Sequence, residues 1–78
     1  MIGNPKYTEG DIVKFFDFYN EEKTGIVVIV DENGTFYDPN NVYYDVHIRE
    51  ENTLYKHICE SNLIEKIGEV NPDTIWDD

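Results

Sequence analysis

Residues 24–31, TGIVVIVD, set five β-branched residues in a row behind a glycine. An almost unbroken apolar run of this length predicts a strand covered on both faces. The segments on either side behave differently. GDIVKF (10–15) and YYDVHIR (43–49) alternate apolar with polar residues, the pattern of a strand with one solvated face. A doubly covered strand beside half-covered neighbours predicts a small sheet curled around residues 24–31.

Turn chemistry divides the rest of the chain. Asn4-Pro5 favours a turn or an extended entry, and Glu9-Gly10 a tight turn into a first strand, Asp11–Phe16, with Val13 and Phe15 on its inner face. Asp17–Lys23 reads as a loop in which Phe18 and Tyr19 either cover the mouth of the curled sheet or form an exposed contact patch. After the central strand, Asn33-Gly34 and Asp38–Asn41 are two turn signals around Thr35-Phe36-Tyr37, which predicts a long excursion rather than a plain hairpin. Tyr43–Glu50 puts Tyr44, Val46 and Ile48 on one face and Tyr43, Asp45, His47 and Arg49 on the other. Glu50–Asn52 makes a turn into Thr53–Cys59, where Leu54 and Ile58 share a face. Glu60–Asn62 fits one tight helical turn, and Leu63–Ile67 a last short strand. The expected core is Val13, Phe15, Val27, Ile29, Tyr44, Val46, Leu54 and Ile58.

Gly10, Asp11, Val13 and Phe15 in the first strand, with Gly25 and Val27 in the second, resemble the opening of a Src-homology-3-like small barrel. Tyr44-Asp45-Val46 and the closing Ile58, Glu60, Ser61 and Leu63 are similar to the rest of that plan. The resemblance covers residues 6–67 and implies an all-β, five-stranded barrel with one short 3-10 turn before the last strand. On this reading residues 1–68 are the barrel and residues 69–78 an acidic C-terminal tail. The superfold serves ribosome-associated, chromatin-reading, peptide-binding and phage-borne proteins, so it implies no single function, and no functional residue is carried over from it.

Charge narrows the function classes. Seventeen Asp and Glu against six Lys and Arg give a net charge of −11 and a pI near 4.3. Such a surface repels phosphate backbones and anionic lipid, so neither nucleic acid nor membrane is an expected direct partner. The acids lean toward the second half: residues 31–78 hold twelve acids and three bases, residues 1–30 five and three. Six Tyr, four Phe and one Trp separate the chain from acidic, aromatic-poor disordered sequences. With a single cysteine, no secretory start and no apolar run near the ~20 residues that span a bilayer, the expectation is a cytoplasmic protein.

No pattern for catalysis or cofactor binding emerges. His57 and Cys59 are two apart, with His47 on the neighbouring strand, but no pair has the spacing of a zinc site. Asp31-Glu32-Asn33-Gly34 brings its glycine too early for a calcium loop. No glycine-rich loop ends in Lys-Ser or Lys-Thr. The chain therefore reads as a non-enzyme without metal or cofactor. Aromatics outside the expected core (Phe18, Tyr19, Phe36, Tyr37, Tyr43, Tyr55 and Trp76) together with carboxylates describe a face that anchors by rings and steers by charge. The candidate partner-binding residues are Asp38, Tyr43, Asp45, Glu50, Glu51, Tyr55, Glu60 and Glu65. The expected partner is a basic protein surface. In the strongest form that surface binds nucleic acid and this protein mimics the nucleic acid, as small acidic anti-CRISPR and anti-restriction inhibitors of phages and mobile elements do. The alternative is a general Src-homology-3-like peptide- or protein-binding module whose charge serves solubility.

Overall fold

The computed structural model describes residues 4–75. They form one antiparallel sheet of five strands: β1 (Asp11–Phe16), β2 (Glu22–Asp31), β3 (Tyr43–Ile48), β4 (Thr53–Cys59) and β5 (Leu63–Glu69). The spatial order is β4-β3-β2-β1-β5, so the first four strands meander and β5 returns to the far side of β1. A 3-10 turn, Glu60–Asn62, joins β4 to β5 where the sequence expects one, and a second, Pro72–Thr74, follows β5. The all-β class and the five strands match the expectation.

β2 is the shared strand. Its first half, Glu22–Ile26, pairs with β1 and its second half, Ile26–Asp31, with β3. Gly25, Ile26, Val27 and Val28 are all buried, because each face of this stretch meets a different apolar cluster. Val27 faces the main core with Val13, Phe15, Val42, Tyr44, Val46, Ile48, Ile58 and Leu63. Ile26 and Val28 face the other way and pack with Ile75, Ile12 and Val70. Gly25 is required by proximity: a Cβ there would lie 2.7 Å from a Val46 methyl and 2.9 Å from the His47 carbonyl.

Two expected core residues are not core. Ile29 is 44% exposed and Leu54 37% exposed. In both strands a bulge reverses the alternation. On β2, Val27 opposes Val46 but Ile29 opposes Asp45, so Val28 is the extra residue and Val30, not Ile29, packs against the main core. On β4, Ile58 opposes Tyr44 while Tyr55 opposes Val46, leaving Lys56 and His57 against Asp45 alone. Tyr55 therefore turns inward where strict alternation from Ile58 would select Leu54. His57 carries the bulge's strained backbone, with φ of 60°.

The segment read as an acidic tail continues the sheet through Glu69. Val70 then donates its N–H to the Gly10 carbonyl at 2.8 Å. The Asn71 side chain caps the Pro72–Thr74 turn, and Ile75 is buried against β2. Arg49 fastens this segment by donating from Nη2 to the Ile75 carbonyl at 2.9 Å. Trp76 and the two aspartates after it lie outside the described residues.

Candidate functional site

The meander sends the β1–β2 loop and the β3–β4 turn to one end of the sheet and the β2–β3 loop to the other. At the first end, Asp17 is buried and its Oδ1 accepts the N–H groups of Tyr19 and Glu21, each at 2.9 Å. Asn20 completes the tight loop with φ of 62°. This geometry turns Phe18 and Tyr19 outward, 67% and 85% exposed, so they do not cover the core. Lys23 joins the loop to the neighbouring turn: its Nζ lies 3.8 Å from Asp17, 4.0 Å from Glu21 and 3.4 Å from Glu51. Tyr55 backs the junction, donating its hydroxyl to Glu51 at 2.6 Å while its ring meets Phe15 edge-on. The Tyr55 hydrogen bond, helped by Lys23 and opposed by desolvation, holds the Glu51 carboxyl below its usual range. Asp17, Glu21 and Glu51 thus share one cation, Lys23, beside the loop that carries the two exposed rings.

At the opposite end, Asp38 organises the β2–β3 loop. Its Oδ2 accepts from the Tyr43 hydroxyl at 2.7 Å and from Asn41 Nδ2 at 2.9 Å, and its N–H is bonded to Thr35. Tyr43 holds the Asp38 carboxyl low, and Asp38 in turn pushes the Tyr43 hydroxyl up to about 12. Nearby, the buried Tyr44 hydroxyl donates to Glu60 and accepts from the Tyr7 N–H. Burial and the Glu60 bond both push this phenol upward.

The eight candidate residues fall into separate places. Glu50, Glu51 and Tyr55 belong to the first end, Asp38, Tyr43 and Glu60 to the second. The two ends are about 20 Å apart along β3 at ~3.3 Å per residue. Glu65 lies on β5, 3.8 Å from Lys14. Asp45 is buried inside the sheet, where its Oδ1 accepts the His57 N–H at 3.1 Å. His47, His57 and Cys59 are not gathered: His47 opposes Leu54, while Cys59 opposes Tyr43 farther along the strand.

Glu21, Glu22 and Lys23 are missing from the candidates drawn from sequence, and the pairs Phe18-Tyr19 and Phe36-Tyr37 are named there only within the wider set of aromatics outside the expected core. The signal for the pairs was present as a repeated Phe-Tyr dipeptide beside an aspartate in each loop, DFY at 17–19 and FYD at 36–38. For Lys23 there was none, since its partners converge only through strand pairing. No protein-family model, curated protein or solved structure matches the chain.

Proposed function

We propose that this chain is a non-enzymatic, Src-homology-3-like interaction module that docks on a basic protein surface through the end formed by the β1–β2 loop and the β3–β4 turn. The observation that carries the reading is the exposed Phe18-Tyr19 pair held among carboxylates that Lys23 ties into one unit. Rings of this size supply burial, and the surrounding charge steers the encounter and disfavours acidic partners. The barrel assignment draws support from the strand order, from the division of β2 between two partners and from the 3-10 turn before β5.

The strong form of the reading makes the partner's surface one that binds nucleic acid. Over the longest extent of 36 Å, duplex DNA presents roughly 20 phosphate charges, against seventeen carboxylates here. Six of those carboxylates lie within 4.0 Å of a lysine: Asp17, Glu21 and Glu51 share Lys23, Glu65 meets Lys14, and Asp11 and Glu69 share Lys66. The unmatched charge at the Phe18-Tyr19 end is the part available for mimicry.

The test begins with affinity capture by the whole chain and purification of the captured protein. Replacing Glu50 and Glu51 by Lys should slow association markedly, and raising salt should weaken the parent complex. Unchanged association and no salt dependence would remove the reading. Competition separates its two forms: displacement of nucleic acid from the partner supports mimicry, and a ternary complex leaves the plain module.

A further inference from the structure

We infer that the β2–β3 loop is a second docking element, a preformed aromatic knob that inserts into an apolar pocket rimmed by Lys or Arg on a protein partner. Phe36 and Tyr37 are each 93% exposed, higher than any other large apolar side chain among the described residues. Their rings meet edge to face with centroids 5.4 Å apart, and neither belongs to a core cluster of the described residues. Two adjacent rings of this kind expose a few hundred Å² of apolar-rich surface, the size at which a patch on a soluble protein signals a binding role.

The base beneath the rings is built. Thr35 and Asp38 exchange backbone hydrogen bonds at 3.0 and 3.2 Å, which closes the loop directly across the Phe36-Tyr37 pair. The Asp38 carboxylate fixes that closure to the sheet through the Tyr43 hydroxyl. Gly34 sits at φ of 75°, and a Cβ there would collide with the Asp38 carbonyl and stand 2.7 Å from that of Asn41. A side chain presented from such a base loses little further backbone freedom when it is buried, which is how preorganisation raises affinity.

Charge selects the occupant. No Lys or Arg occurs between Lys23 and Arg49, and Asp31, Glu32 and Asp38 flank the rings. A second copy would bring the same acids together under a net charge of −11 on each chain, and an anionic bilayer would be repelled for the same reason. A cationic rim around an apolar pocket satisfies both the rings and the carboxylates. This knob leaves β2 at the end opposite Phe18-Tyr19, so it goes beyond the surface proposed above and makes the module bivalent.

The test places the photo-cross-linker p-benzoylphenylalanine at position 37 of the full chain in cells that produce it. The expected result is one cross-linked protein. Once purified, it should bind the parent at least about tenfold tighter than the Phe36→Ser/Tyr37→Ser variant. That protein should still bind the Phe18→Ser/Tyr19→Ser variant, and its affinity for the parent should fall as salt rises. Cross-links only between two copies, only to lipid, or to no single species would overturn the inference. So would equal binding of the Phe36→Ser/Tyr37→Ser variant when its circular dichroism matches the parent. Loss of the same partner in both variants would overturn the separation into two sites.

Discussion

The Asp45 carboxylate accepts the backbone N–H of His57 at 3.1 Å, between two bulges that lie on opposite sides of β3. The β4 bulge turns the His57 amide out of the ladder, and the buried Asp45 takes the place of the missing strand partner. Asp45→Ala leaves that amide without its acceptor, so unfolding stability should fall by about 1–3 kcal/mol. Asp45→Asn keeps an acceptor oxygen and should lose less. Urea unfolding of the three proteins decides it: equal midpoints would mean that the bulge stands without Asp45.

The same pair of bulges marks where the fold ceased to be legible in the sequence. Strand existence and turn positions were readable, because β-branched runs, Asn-Gly and Glu-Glu-Asn act locally. The bounds of β4 and of the Glu60–Asn62 turn coincide with the expectation. The expected core positions Ile29 and Leu54 fail beyond a bulge, because one extra residue inverts the later positions. Nothing local distinguishes Val28 or His57 as the inserted residue. The candidate surface was readable as residue types but not as a grouping: Asp45 looked like an outer-face acid and is a structural group, while Lys23 gathers carboxylates from two connections.

Core energetics follow the corrected phase. Ile58 is fully buried and opposes Tyr44, so Ile58→Ala should cost about 2–5 kcal/mol. Leu54 sits on the outer side, and Leu54→Ala should cost about 1 kcal/mol. Thermal melts showing Leu54→Ala as the more damaging of the two would contradict the register of β4.

The Asp38–Tyr43 hydrogen bond weakens at both extremes of pH. Asp38 is held below its ordinary value of 3.8, chiefly by Tyr43. A depressed carboxyl contributes stability above its ordinary value and loses that contribution as pH falls through the lowered one. Tyr43 is raised from 10.0 to about 12, chiefly by Asp38, so its contribution is complete below pH 10.0 and is lost as pH rises toward 12. Phenolate absorbance should therefore show one fewer late-ionising tyrosine in Asp38→Asn than in the parent. An unchanged alkaline titration would show that the two groups do not interact in solution.

The exposed aromatic pairs contribute contact surface and little stability. Phe18→Ser/Tyr19→Ser and Phe36→Ser/Tyr37→Ser should each change unfolding stability by less than about 1 kcal/mol. Calorimetry that finds either variant largely unfolded would place those rings in the folding of the domain and outside recognition.

The most direct test of docking through the Phe18-Tyr19 end is the backbone amide map of the isotopically labelled chain, titrated with the purified captured protein. The expected changes concentrate at residues 17–23, residues 49–52 and Tyr55. Residues 63–69 of β5, on the far side of β1, should stay unperturbed at saturation. Changes confined to β5, with residues 17–23 and 49–52 unmoved, would contradict it.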